Sequence, residues 1–311
     1  MVDILLATYN GEKFIRQQLD SIINQSFKNW NLIIQDDASS DHTLDILLEY
    51  QEKYPKKIKV FTKKNNTGSP SHNFFSLINF SKNDYVMFSD QDDIWLPNKI
   101  KITLDNMIKA EKKYDKNTPL LVHTDLKVVD ENLNIINDSL FKYQNMNCNR
   151  DKINNLLAQN IVTGCTTMIN KSLINLIDKK IMVDQNIIMY DWFLALMACA
   201  FGKIIFVPKQ TILYRQHKSN QVGAKKVTTF KFMINKICNL KKLKLSIKDT
   251  YNQAKSFLEI YQKKLDKKNF ELITQYIKIK DNNKFNKIKI LFKYKFFKYG
   301  TLRKLGQILF S

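Results

Sequence analysis

Three carboxylates fall within four positions in FSDQDDIWLP, residues 88–97, directly after a run of apolar and small residues. Asp90 and Asp92 are two apart, so in extended chain both side chains project to one side. Ionised carboxylates this close repel one another, and one is driven toward protonation unless a cation lies among them. Hard oxygen ligands suit Mg²⁺ or Mn²⁺, and Mg²⁺ is commonly shared between one or two carboxylates and substrate phosphates. The competing reading is a solvated acidic turn that caps the helix beginning near Pro97.

Other polar groups stand at comparable places. Asp36 and Asp37 close the apolar run WNLIIQDD, residues 30–37, and Asp191 in MYDW opens an otherwise apolar helical stretch. A carboxylate at a helix N-terminus is stabilised by free N–H groups and the helix dipole, so a simple cap is the plain reading of Asp191. In YRQH, residues 214–217, Arg215 can grip a diphosphate through two parallel hydrogen bonds, and His217 can ligate a metal or donate to a phosphate. His42, His72 and His123 read as solvated or structural. No nucleophilic Ser or Cys motif is present.

These groups must be positioned by the elements between them. Strand-like runs at 2–7, 30–37, 58–62, 84–90 and 119–125 alternate with helical segments at 11–26 and 41–54 and with helices starting near Pro70 and Pro97. Phe14, Leu19, Ile22 and Ile23 form one helix face, and Asp41 is the expected N-cap of the second helix. Such alternation predicts an α/β fold with a mostly parallel sheet flanked by helices. The polar clusters TYN, DDASSD, DQDD and HTD follow strands, where open sheets of this kind bind ligands. Further on, a helix at 151–158, a strand-like stretch at 161–170, a helix from MYDW and two short strands, KIIFVP and TILYRQH, are expected.

The ordered segments ILLATYNGEKFIRQQLDSIINQSF, IIQDDASSDHT, DYVMFSDQDDIW, HTDLKVVD, NIVTGCTTMIN, YDWFLALMACAFGKIIFV and LYRQHKSNQVGA resemble the signatures of family 2 glycosyltransferases. The resemblance covers about the first 224 residues and is nearest to bacterial rhamnosyltransferases of cell-wall and capsular polysaccharide synthesis. It implies the GT-A nucleotide-sugar-binding fold and inverting, metal-dependent sugar transfer. Thr8 and Tyr9 would line the nucleotide base, and Asp37 with Asp36 would accept its hydrogen bond. Asp90 would hold the ribose or a metal-bound water. Asp92, with His217, would bind Mg²⁺ or Mn²⁺, backed by Asp93. Asp191 would be the general base and Arg215 would meet the diphosphate. The implied donor is dTDP-rhamnose, with a UDP-hexose as the alternative, and the implied acceptor is a lipid-linked glycan. Close relatives typically carry His before the general base, where this chain has Tyr190.

The net charge of +21 is uneven: residues 225–311 carry 23 Lys and Arg against 5 Asp and Glu. A basic, mainly helical C-terminal extension (225–311) after a near-neutral domain (1–224) is therefore expected, with the boundary at KSNQVGAKK, residues 218–226. Lys mixed with Phe, Tyr, Ile and Leu can lie on an anionic membrane surface or pack as a helical domain with a solvated basic face. Without a zinc motif, an RNP signature or a helix-turn-helix, the extension does not read as a nucleic-acid binder. Cys148, Cys165, Cys199 and Cys238 are scattered and read as free thiols in a reducing compartment. Neither a signal peptide nor an uncharged apolar run of ~18 residues is evident, so a cytoplasmic protein, peripheral on the inner membrane face at most, is expected. A metal-dependent phosphatase or nucleotidyltransferase is the rival enzyme class. It would want a second metal-ligand cluster or an early nucleophilic Asp, and strand one ends in ATYN.

Overall fold

The computed structural model describes residues 1–66, 68–217, 223–224 and 240–310. The first half runs β1 (Val2–Thr8), α1 (Ile15–Ile23), β2 (Trp30–Asp36), α2 (Thr43–Lys53), β3 (Ile58–Thr62), α3 (Pro70–Ile78), β4 (Tyr85–Ser89), β5 (Ile94–Trp95) and α4 (Lys99–Tyr114). Then follow β6 (Leu120–Val129), β7 (Ile135–Asn137), α5 (Leu140–Tyr143), α6 (Ile153–Ala158), β8 (Thr167–Asn170), α7 (Lys171–Ile174), α8 (Tyr190–Phe201) and β9 (Lys203–Arg215). The C-terminal region adds α9 (Leu240–Tyr261), α10 (Lys267–Lys278), α11 (Lys284–Tyr294) and α12 (Thr301–Phe310).

One sheet carries the strands in the order β3-β2-β1-β4-β8-β6-β9-β5, with β7 beside β6. From β3 to β4 the pairing is parallel. Beyond β4 it is mixed: β8 lies antiparallel between β4 and β6, and β9 runs parallel to β6. The near-continuous apolar runs of β1, β2 and β4 reflect burial on both faces. Their carboxyl ends lie side by side, Thr8 pairing with Asp36 and Leu6 with Ser89, so the polar residues that follow converge on one edge.

Several local expectations are revised. The first helix starts only at Ile15, because the chain turns at Gly11. His42, not Asp41, is the residue flanking α2; the Asp41 carboxylate instead accepts from Glu12 N (3.1 Å) and Thr43 N (3.0 Å), tying the first loop to the second. Of 161–170 only Thr167–Asn170 is strand. The two short strands after α8 are one strand, β9. Its register against β6 slips between Val207, opposite Thr124, and Gln210, opposite Asp125. Pro208 lies in that slip, and without an N–H it has no place in a ladder.

The C-terminal helices share a core with the sheet. Leu5, Phe88 and Phe193 belong to one apolar cluster with Phe257, Tyr276 and Phe296. The extension is mainly helical, as expected, and packs onto the domain through that cluster. Cys238 and most of the 218–226 boundary lie outside the described residues.

Candidate active site

At the carboxyl end of β1, Thr8 Oγ1 donates to Asp36 Oδ1 (2.9 Å), and Ser39 donates to both oxygens of the same carboxylate through N (2.9 Å) and Oγ (2.5 Å). Asp36 is buried and its hydrogen bonds are spent on holding the two loops together. Asp37 beside it faces Lys63 Nζ at 3.8 Å, with both side chains mostly shielded. Tyr9 is half exposed. Its backbone makes a reciprocal amide pair with Gln91, Tyr9 N to Oε1 (2.8 Å) and Nε2 to Tyr9 O (3.0 Å). Gly11 makes room for this pair, since a Cβ there would stand 2.5 Å from Gln91 Oε1.

The second group forms where the loop after β4 meets the end of β9. His217 Nε2 lies 2.6 Å from Asp92 Oδ2, and the imidazole packs on the Phe14 ring at 4.9 Å. Arg215 is almost wholly buried over Phe14. Its Nε donates to Asp92 O (2.9 Å), Nη1 to Glu131 O (2.6 Å) and Nη2 to Gln17 Oε1 (2.6 Å). Its backbone N–H donates to Asp93 Oδ1 (3.3 Å). Three of the five guanidinium N–H donors are thus held by the scaffold, and through them Arg215 braces the loop that carries Asp92.

Beneath lies a buried floor. Ligand atoms of Asp90, Asp93 and Cys165 come within 4.8 Å of one another. Burial first, then the charges of Asp92 and Asp191, push the Asp90 carboxyl up to about 7. Asp93 is pushed well up by burial and by Asp92, and its Oδ2 has no hydrogen-bond partner. The counter-charge is Lys99, which is fully buried, sits 4.6 Å over the Trp95 ring and has no hydrogen bond at Nζ. Burial pulls its ammonium down to about 8, against the pull of Asp93 and Asp90. The Cys165 thiol is held well up by burial and stays protonated. An internal ammonium thus already faces Asp93 and Asp90. A hydrated cation would instead meet the less buried Asp92 and His217, with Asp90 beside them. Two hard carboxylates and one imidazole fit Mg²⁺ or Mn²⁺.

Asp191 stands in the first turn of α8, buried to 7% exposure. Its Oδ2 accepts from Gly164 N (2.9 Å), and its Oδ1 from Trp192 N (2.6 Å) and Asn160 Nδ2 (3.1 Å). Burial pushes the carboxyl up to about 6, and these donors hold it from going higher. It lies near enough to Asp90 for its charge to help raise the Asp90 carboxyl. A carboxylate ionised near neutral pH and fixed by three donors has the properties of a general base.

A sequence profile described as Glycosyl transferase family 2 matches residues 3–174, more than half of the chain. The chain belongs to glycosyl transferase family 2. It is 35% identical over 231 residues to the dTDP-rhamnosyl transferase RfbG of Shigella flexneri, spanning 70% of this chain and 74% of that one. Among solved structures, S. aureus TarS 1-349 in complex with UDP-GlcNAc is similar at a TM-score of 0.53 and 19% identity, over 94% of this chain and 80% of that one. The mannosyltransferase PcManGT of Pyrobaculum calidifontis, in complex with GDP-Man and Mn²⁺, is similar at a TM-score of 0.55 and 14% identity, over 99% and 84%. The fold is accordingly the GT-A arrangement, and the protein is a glycosyltransferase.

In this glycosyltransferase the expected residues Thr8, Tyr9, Asp36, Asp37, Asp90, Asp92, Asp191, Arg215 and His217 all lie along the carboxyl edge of the sheet or at the start of α8. Gln91, Lys99 and Asn160 went unnoticed in the sequence. Lys99 had a signal, a lysine four residues after Trp95 where a helix begins. Asn160 had none. Tyr190, directly before Asp191, is buried beside the floor, where burial and then the charge of Asp90 hold its hydroxyl well up. Its ring packs between Phe74 (4.1 Å) and Phe88 (5.0 Å), and its hydroxyl stands 2.0 Å from where a Cβ on Gly164 would be.

Proposed function

We propose that this chain transfers rhamnose from dTDP-rhamnose, with inversion, to a hydroxyl of a lipid-linked polysaccharide precursor at the inner face of the cell membrane. The observation that carries the reading is Asp191, a buried carboxylate held by Gly164, Trp192 and Asn160 beside the Asp90–Asp92 loop. Likeness to the Shigella flexneri rhamnosyl transferase supports the donor.

In the transfer, Asp191 takes the proton of the acceptor hydroxyl. The freed oxygen attacks the anomeric carbon while the bond to the nucleoside diphosphate breaks on the opposite face. Asp37 accepts a hydrogen bond from the base, and Thr8, Tyr9 and Asp36 shape the cleft around it. Arg215 and Gln91 hold the Asp92 loop at a fixed distance from the first loop. Asp92 with Asp90 and His217 would hold Mg²⁺ or Mn²⁺, which when bound supplies electrostatic stabilisation of the departing diphosphate. No helix among the described residues is long and apolar enough to cross a membrane.

The test is Asp191→Asn, assayed with a panel of sugar nucleotides that includes dTDP-rhamnose and UDP-hexoses. Transfer should fall by about 10²–10⁴-fold, the usual contribution of a general base, while donor binding is kept. An equal loss of donor binding would make Asp191 a structural cap. Transfer from a UDP-hexose but not from dTDP-rhamnose would overturn the donor assignment.

A further inference from the structure

The last two helices leave large apolar side chains in water. On α11, Phe285 is 78% exposed and Phe292 is 54% exposed, seven residues apart and so on one face. On α12, Leu305 is 51% exposed and Leu309 57%, four apart on a face of their own. The two helices meet at Lys304, whose Nζ lies 5.4 Å from the Phe292 ring and 4.4 Å from the Phe297 ring. Lys284, Lys289 and Lys293 are exposed beside the phenylalanines. Residues 284–311 contain eight Lys and Arg and no Asp or Glu.

We infer that this face of α11 and α12 docks on an anionic phospholipid surface, with Phe285, Phe292, Leu305 and Leu309 entering the headgroup region and the lysines meeting lipid phosphates. Charge complementarity selects the occupant: a segment of one sign with no acidic residue of its own, and with Glu271 of α10 as its acidic neighbour at Tyr294, matches an anionic bilayer. The apolar residues decide between lipid and nucleic acid. A polyanion in water would neutralise the lysines and leave both leucines wet, whereas an interface buries both kinds of group. Packed helices already present the face, so little ordering is needed on docking.

The face is also tied to the catalytic side. Asn154 Nδ2 on α6 donates to Tyr294 O (3.1 Å), and Tyr299 N donates to Gln159 Oε1 (2.7 Å). The next residue, Asn160, holds Asp191. A bilayer seated on α11 and α12 is thus linked through a short bonded segment to the base that would receive the acceptor hydroxyl. The inference deepens the lipid-linked reading above, but its test is independent of it, because vesicle binding needs neither donor nor acceptor.

The experiment is co-sedimentation of the full chain with phosphatidylcholine vesicles, with and without phosphatidylglycerol, at low and high salt. Binding is expected only with phosphatidylglycerol and should weaken as salt rises. Replacing Phe285, Phe292, Leu305 and Leu309 together by Ser should lower binding by about tenfold or more, since each loses a buried apolar group. Lys284→Glu, Lys289→Glu and Lys293→Glu should each cost about fivefold or more. If the serine variant proves insoluble, the lysine variants decide. Failure of the parent to bind phosphatidylglycerol vesicles at low salt overturns the inference. So does parent-like binding by the lysine variants, or binding to RNA that outcompetes vesicles and survives the serine substitutions. Sugar transfer to a soluble acceptor should be unchanged in all of them, which separates failure here from failure of the transferase reading.

Discussion

Replacing Asn160 by Ala removes one of the three donors that hold the Asp191 carboxylate, the one at 3.1 Å. A hydrogen bond to a charged group contributes about 1.5–3 kcal/mol. At ~1.36 kcal/mol per pKa unit, its loss raises the Asp191 carboxyl by about 1–2 units. The starting value is about 6, since burial pushes it up against the three donors. An acid whose pKa rises needs a higher pH to ionise, and the base works only when ionised. The acid limb of the transfer rate should therefore move from about pH 6 to about pH 7–8. At pH 7 the ionised fraction drops from about nine-tenths to between one-half and one-tenth, a loss of about two- to tenfold that disappears near pH 9. Initial transfer rates at saturating donor and saturating Mn²⁺, followed across this range, measure the limb directly. Asn160 also bridges Val162 through N (2.9 Å) and O (2.8 Å), so a loop distortion is the competing outcome. Distortion would lower the rate equally at every pH. A flat loss, or a profile that overlays the parent, would refute the role given to Asn160.

Asp92→Asn should abolish Mn²⁺-dependent binding of the nucleoside diphosphate by calorimetry, because the charge facing the cation is gone while the fold is kept. The buried Lys99 ammonium, pulled from 10.5 to about 8, carries a cost of about 3 kcal/mol at pH 7. Its stability is fully present above pH 10.5 and lost as pH falls through 8. The Tm difference between the parent and Lys99→Met should therefore grow in the parent's favour from pH 8 to 10.5, and parallel curves would refute the burial argument. Tyr190→Phe removes a buried hydroxyl without a hydrogen bond, so it should melt at or above the parent temperature and transfer sugar at the parent rate. Gly164→Ala places a Cβ 2.0 Å from that hydroxyl and should cost about 1–3 kcal/mol or more in thermal melts.

The carboxyl ends of β1, β2 and β4 could be read directly, because buried parallel strands are continuous apolar runs and the polar residues that stop them form the candidate site. The pairing of Asp92 with His217 followed from ligand chemistry and family order. The bracing role of Arg215 was not legible for a physical reason: a guanidinium suits carbonyl oxygens as well as phosphate, and only the approach of Glu131, Gln17 and Asp92 reveals it. Asp36 likewise has a neighbour in Asp37 of the same chemistry, and the two part company only because Ser39 and Thr8 close on one of them. The break assumed within 203–217 came from Pro208, whose missing N–H is accommodated by a register slip that only the partner strand reveals. Asn160 could not be found at all, since an asparagine in a loop becomes a determinant only when a buried carboxylate is placed against it.

The three-way grip of Arg215 has a consequence for the order in which the protein is made. Gln17 and Arg215 are 198 residues apart, and closing so long a loop is entropically late in folding. On the roles proposed above, a nascent chain that has emerged only through residue 174, the end of the family match, holds the proposed donor-side carboxylates but neither Asp191 nor the arginine that steadies the Asp92 loop. On those roles, sugar transfer is unavailable to a half-made chain. It begins when the end of β9 reaches back to α1, so the last strand of the sheet acts as a latch on the first loop.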